Sequence, residues 1–235
     1  MLDWLKRWDL VASSRVDHYI ANSKNVRDQI KKFYNRESEV IYPFADLDFF
    51  KVAKVPNWQL KRQNYYLVVS RLVKWKKIDI AINACQKLGA NLKIVGTGPD
   101  ETRLKGLTIN DKQSTINFVG KVTPERLRDL YQNAKALIVT QEEDFGISTV
   151  EAQACGLSVI AYAKGGQSEI IKNGKTGVLY DLQTIKSLSD AIVASTKVKW
   201  SLLACRKNSL KYSKANFVGK IENIVKNYAT SSQRS

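Results

Sequence analysis

The amino-acid sequence predicts an α/β fold, with a parallel sheet carrying helices on both faces. Short, nearly continuous apolar runs recur along it: YYLVVS at 65–70, LKIVG at 92–96, INFVG at 116–120, ALIVT at 136–140, SVIAY at 158–162 and GVLY at 177–180. Strands that lack polar–apolar alternation are buried on both faces, as in a parallel sheet. Segments with helical spacing of apolar residues separate the runs, and such crossovers let successive strands run parallel. The loops after the strands collect glycines and charged residues, at the edge where such sheets bind ligands.

The elements follow in order. Residues 18–22 (HYIAN) read as a strand, and Val26, Ile30 and Phe33 then fall at helical spacing. An apolar burst at Glu39–Tyr42 ends at Pro43, and the polar stretch Lys51–Gln63, with Pro56, reads as a connection. Helices are expected over Ile78–Leu88, Asp100–Leu107, Pro124–Ala134, Thr149–Ala154 and Gln167–Lys172. Thr123 is the expected cap of the third, and Pro99 the expected first helical residue of the second. Two more helical stretches close the chain, Ser187–Ala194 and Phe217–Tyr228. At the other end Met1, Trp4, Leu5, Trp8 and Val11 share a helical face that needs a partner.

Composition narrows the classes. The 235 residues are 44% hydrophobic and 26% charged, the balance of a soluble globular protein. No apolar run approaches the ~20 residues that span a bilayer. Asp3, Lys6, Arg7 and Asp9 interrupt any signal-peptide core, so the expected location is cytoplasmic. Cys85, Cys155 and Cys205 have neither metal-ligand spacing nor the even count of a disulfide framework. His18, the one histidine, is expected to be structural. The net charge of +16 would attract nucleic acid, an anionic membrane or a phosphorylated substrate. No aromatic–basic RNA signature or helix-turn-helix pattern stands out, and nucleic acid is not expected as a partner.

The segment richest in chemistry is Glu142 to Glu151. Glu143 and Glu151 are eight residues apart, one in a loop after a strand and one in the following helix. Amides at that helix N-terminus attract anions, and Gly146 allows close approach of a ligand. Two carboxylates beside the amides suit sugar and ribose hydroxyls. The same residues admit a purely structural reading. Ser148 and Glu151 have capping-box spacing, and Glu142, Glu143 and Asp144 suit a solvated acidic turn. Arg71 and Lys76 follow an earlier strand, where two cations can clamp a diphosphate. Gly96-Thr97-Gly98-Pro99 fails the dinucleotide fingerprint, because Glu101 stands at the third glycine position. Lys164-Gly165-Gly166-Gln167-Ser168-Glu169 brings glycines and a carboxylate toward the same edge.

Read together, several segments resemble one family. They are Ser23 after HYIAN, Ile41-Tyr42-Pro43 through Asp46 to Phe50, Arg71-Leu72-Val73 with Lys76, Gly96 to Pro99, Phe118 to Val122, Glu143 to Glu151, and Gly165-Gly166 with Glu169. They are similar to the retaining glycosyltransferases of the GT-B type, in the large group 1 family. The runs EEDFGI, VEAQACG, VIAY and DHYIANS look like its bacterial mannosyltransferases of O-antigen and capsule assembly. The resemblance implies that Arg71 and Lys76 bind the diphosphate and that Glu143, the catalytic position, holds the transferred sugar. It implies that Glu151 holds the ribose and that backbone groups of Phe145, Gly146 and Ile147 meet the sugar-phosphate. Gly98 joins this donor-binding set, and Lys121-Val122 borders the base. The implied reaction needs no metal ion or other cofactor. Asp46-Leu47-Asp48 accordingly reads as a hinge rather than a metal-binding DxD string.

The resemblance divides the chain into a remnant of an N-terminal domain with its hinge (1–50), a Rossmann-like nucleotide-sugar-binding domain (51–210), and a crossover helix with tail (211–235). The fold expected is the C-terminal half of a GT-B enzyme. Phe44 and Ala45, in place of the usual Pro-Val, are expected to loosen the hinge, and Ser148, in place of a common proline, to cap its helix. The expected function is transfer of a hexose, mannose from GDP-mannose, to a glycan or lipid-linked acceptor with retention. The alternative is a non-catalytic or split-subunit nucleotide-sugar-binding module. Expected partners are the donor, the acceptor, a separate N-terminal domain and an anionic membrane surface. The chain alone is expected to transfer no sugar.

Overall fold

The computed structural model describes residues 2–53, 62–109 and 115–232, which form two parallel sheets. Met1 and the Pro56 region of the expected connection lie outside the described residues. The first sheet is small. Helix α1 (Leu2–Ser13) precedes strand β1 (Tyr19–Ala21), and helix α2 (Lys24–Tyr34) crosses over to strand β2 (Ser38–Val40). Ser23 Oγ accepts the Val26 amide at 3.1 Å and so starts α2. Asn35, in the left-handed conformation with φ 50°, ends it.

The second sheet positions the site. Its strands are β3 (Tyr66–Val69), β4 (Leu92–Val95), β5 (Ile116–Gly120), β6 (Leu137–Val139), β7 (Val159–Tyr162) and β8 (Gly177–Tyr180), all parallel, in the order β5-β4-β3-β6-β7-β8. The connecting helices are α3 (Ile78–Lys87), α4 (Glu101–Gly106), α5 (Pro124–Asn133), α6 (Ile147–Ala154) and α7 (Gln167–Ile170). After β8 come α8 (Ile185–Thr196), α9 (Leu202–Ser209) and α10 (Lys214–Ser232). Thr123 caps α5 as expected, and α9 was not foreseen.

Alternate residues of each strand feed opposite cores. Leu67, Leu137, Val139, Val159 and Ala161 pack with Leu130 and Tyr131 of α5 and Val150 of α6. Tyr66, Val68, Ile94, Ile138 and Ile160 pack on the other face with Ile78 and Ile82 of α3 and Leu188 and Ile192 of α8. Truncating one such residue to alanine costs ~2–5 kcal/mol, which makes the sheet a firm frame for its loops.

The first unit is fastened to the second. Ala45 donates its amide to the Tyr212 carbonyl at 3.2 Å, and the Phe44 ring lies 5.2 Å from that of Phe217 in α10. The residues expected to loosen the hinge therefore tie it, because an aromatic ring replaces a proline and finds a partner. Farther along α10, the Tyr228 ring meets His18 edge-on at 5.3 Å. Among the described residues no helix is long and apolar enough to cross a membrane.

Candidate functional site

The strand order sets where a ligand would lie. The chain runs outward from β3 through β4 to β5, then returns to place β6 on the other side of β3. The loops leaving β3 and β6 diverge, and the crevice at such a switch point is the usual ligand site of an open parallel sheet. Arg71 and Lys76 follow β3, and Gln141 to Gly146 follow β6.

Close backbone packing holds the β3 and β4 loops together. A Cβ at Gly96 would lie 1.9 Å from the Ser70 carbonyl oxygen, and one at Gly98 would lie 2.2 Å from that of Leu72. The Leu72 amide donates to the Thr97 carbonyl at 3.0 Å, and the Asp100 amide donates to the Leu72 carbonyl at 3.0 Å. This packing is what demands glycine at Gly98. Pro99 is not the first helical residue: α4 begins at Glu101 with Asp100 as its N-cap.

Lys76 and Glu143 meet across the switch point. The Lys76 ammonium pairs with Glu143 Oε1, in a setting where both side chains are largely buried. Gln141 donates its Nε2 to the same oxygen at 2.6 Å, and Thr140 Oγ1 donates to the Lys76 carbonyl at 2.7 Å. Glu143 Oε2 has no protein partner among the described residues. The Lys76 ammonium also lies 4.0 Å from the centre of the exposed Trp75 ring. Arg71 is exposed, and its guanidinium has no partner among the described residues.

The following helix begins earlier than its sequence suggests. Its N-cap is Gly146, at φ 105°, with no side-chain cap. Ser148 therefore does not cap the helix, contrary to expectation, because the chain turns into it two residues sooner. The Ile147 and Ser148 amides open the helix uncapped. Beside Gly146 lie two fully buried residues, Thr149 and Gln167, whose Oγ1 and Oε1 have no hydrogen-bond partner among the described residues.

Glu151 does not close a capping box either. Its Oε2 accepts from the Tyr131 hydroxyl of α5 at 3.0 Å, and burial pushes its pKa from 4.5 up to about 7, with the tyrosine bond opposing the rise. The Phe145 ring is buried in the hinge, 5.9 Å from the Tyr42 ring and 5.5 Å from that of Tyr212. Ile147 is half exposed. Lys121 is exposed after β5, whereas Val122 packs partly on the core.

The glycines after β7 brace the β6 loop. A Cβ at Gly165 would lie 2.3 Å from the Glu143 carbonyl oxygen, and one at Gly166 would lie 2.3 Å from that of Asp144. Glu169 lines a cavity with Glu142, Lys164 and Gly165 and takes the amides of Lys24 at 3.1 Å and Asn25 at 3.0 Å, with the Tyr42 hydroxyl at 2.8 Å. It thereby satisfies the N-terminus of α2 from the other unit. Asp46 Oδ1 accepts the amides of Asp48 at 3.2 Å and Phe49 at 2.9 Å, the bonding of a turn. His18 lies beside β1, 4.0 Å from Glu39 Oε2.

Comparison with known proteins places this geometry. Residues 53–211 match the family model described as glycosyl transferases group 1. The chain is 31% identical over 192 residues to D-inositol 3-phosphate glycosyltransferase of Mycobacteroides abscessus, covering 75% of this chain and 43% of that protein. It is 25% identical over 183 residues to an uncharacterized glycosyltransferase of Methanocaldococcus jannaschii, covering 77% and 50%. It thus spans about half the length of these relatives. Sucrose-phosphate synthase from Thermosynechococcus elongatus superposes with a TM-score of 0.79 at 21% identity, over 92% of this chain and 59% of that one. An Anabaena protein solved with UDP and glucose superposes at 0.78 and 19% identity, over 95% and 66%. The two superpositions establish the fold, an α/β parallel sheet as in GT-B glycosyltransferases.

Proposed function

The chain belongs to the family of glycosyl transferases group 1, and on that premise we propose that it is the nucleotide-sugar-binding half of a retaining hexosyltransferase. The observation that carries the reading is the Lys76–Glu143 pair at the switch point, one turn of chain before the uncapped α6. A cation and free helix amides suit the phosphates of a donor. The unpartnered oxygen of Glu143 suits a sugar hydroxyl, and the half-buried carboxylate of Glu151 suits ribose. In the reaction, Arg71, Lys76 and the amides at Gly146 and Ile147 stabilise the charge that grows on the departing diphosphate. Glu143 fixes the sugar, and no metal ion is called for. Mannose from GDP-mannose is the proposed donor, following the resemblance to O-antigen enzymes. UDP-glucose is the second candidate, since UDP and glucose accompany one of the similar structures.

The acceptor is a glycan or lipid-linked saccharide. The excess of positive charge supports work at an anionic membrane surface. A second reading, a binding module that acts with a separate polypeptide, is favoured by α1. Its Trp4 and Trp8 are 66% and 60% exposed, an apolar face that nothing described covers. Calorimetry of the chain against GDP-mannose, UDP-glucose and ADP-glucose tests the donor assignment. Saturable binding of one of them supports it, and silence toward all three at millimolar concentration removes it. Sugar transfer by the chain without added protein would remove the second reading.

A further inference from the structure

We propose that Gln141, held by Gln167, is the positioning residue that keeps Glu143 in place for the donor sugar once the phosphates have claimed Lys76. The inference rests on the donor-binding reading above. Lys76 and Gln141 both address Oε1 of Glu143, and they differ in what a ligand does to them. Lys76 is a mobile point charge on a flexible stem, and an incoming diphosphate competes for it. If Lys76 were the sole partner of Glu143, binding the phosphates would release the carboxylate just when the sugar needs it. The 2.6 Å bond from Gln141 Nε2 survives that exchange, and Oε2 stays open to a hydroxyl.

The glutamine is itself fixed. Gln141 is 5% exposed, and its carbonyl accepts Gln167 Nε2 at 2.5 Å. Gln167 is fully buried at the start of α7, with a longer contact to the Tyr162 carbonyl at 3.4 Å. The link therefore runs from the β7 loop through the β6 loop to the carboxylate. Thr140, the neighbour of Gln141, bonds the Lys76 carbonyl, so consecutive residues at the end of β6 hold both charged partners.

The test compares intact donor with its nucleoside diphosphate in the full chain, by calorimetry with GDP-mannose and GDP, and with UDP-glucose and UDP. Gln141→Met keeps length and burial and removes the donor group. It is expected to weaken binding of the sugar nucleotide by roughly tenfold or more, as for loss of one charge-assisted bond, and binding of the diphosphate by distinctly less. Gln141→Asn, too short to reach Oε1, should act in the same direction and serves if the methionine variant folds poorly. A merely structural role would weaken both ligands by one factor, and that result, or unchanged affinity for both, overturns the proposal. A wild-type chain that binds none of the four ligands removes the donor-binding reading, and this proposal with it; wild-type binding with no split between the ligands sinks the proposal alone.

Discussion

Replacing Glu151 by glutamine should stabilise the ligand-free protein at alkaline pH and weaken nucleotide binding. In the folded chain burial raises the Glu151 carboxyl from 4.5 to about 7. Below pH 4.5 it is protonated in both the folded and the unfolded chain and costs nothing. Between pH 4.5 and 7 the unfolded chain loses its proton first, so stability falls as pH rises. Above pH 7 the cost is complete, about 3 kcal/mol at about 1.4 kcal/mol per pH unit. Glutamine has the same shape and no charge to desolvate. Its amide oxygen can still accept from Tyr131, and the rise to about 7 is already net of that bond. The expected gain at pH 8 is therefore about 3 kcal/mol, and at pH 5 below about 1 kcal/mol. Each kcal/mol moves Tm by about 2–4 °C in a chain of this size. Thermal melts of both proteins across pH 5–8 read this directly. A glutamine variant less stable at every pH would refute the argument. On the donor reading, ribose hydroxyls favour the ionised carboxyl, so nucleotide binding near pH 6.5 should release a proton. Calorimetry in buffers of different ionisation enthalpy measures that release.

The other expected outcomes rest on single contacts. Arg71→Ala and Lys76→Ala should each weaken donor binding by ~1.5–3 kcal/mol, read by titration calorimetry; unchanged affinity in both would dismiss the diphosphate clamp. Glu143→Gln should weaken the sugar nucleotide and tighten the bare nucleoside diphosphate, because Lys76 no longer has a competing anion; loss of affinity for both would count against the pair. Glu169→Ala strips the acceptor from two amides of α2 and should lower stability by ~0.5–2 kcal/mol. Hydrogen exchange at Lys24 and Asn25 should quicken, and protection equal to wild type would show that the contact is idle.

The parallel sheet was legible because its strands are buried on both sides, which writes unbroken apolar runs into the sequence. The α9 helix was not, because its buried face is polar. Asn208 is buried and donates to Gln153 Oε1 at 2.6 Å and to the Ile170 carbonyl at 2.7 Å, so no apolar period marks the element. At the site, Lys76 and Glu143 were readable as loop residues after strands, since strand order brings such loops together. Their direct pairing depends on β6 returning beside β3, which no local pattern encodes. Glu151 offered two local readings, and the partner that separates them, Tyr131, sits in another helix. Glu169 is a different case. Its place after Gly165-Gly166 sets it in a cavity with Glu142 and Lys164, while the amides it accepts from lie well over a hundred residues earlier, which no local pattern encodes. Gln141 gave no signal in sequence, because a glutamine in a loop is ordinary until its two bonds are seen.

The Lys76–Glu143 pair also bears on how such a site would tell a donor from its product. Before any ligand enters, the ammonium and the carboxylate neutralise each other, with Gln141 on the same oxygen. A nucleoside diphosphate can replace Glu143 at Lys76 but offers the carboxylate nothing, so a largely buried charge loses part of its compensation. On the proposed donor reading a nucleotide sugar would answer both groups at once, phosphate oxygens to the ammonium and a hydroxyl to the open Oε2. On that reading, the pair would tax the product more than the substrate. The same logic places the demand on the residues that hold Glu143 rather than on Glu143 alone, since a carboxylate free to follow the ammonium would erase the difference. Glycines at 165 and 166 serve that end by letting the β7 loop press against the backbone of Glu143 and Asp144, where any larger residue would push the carboxylate out of register.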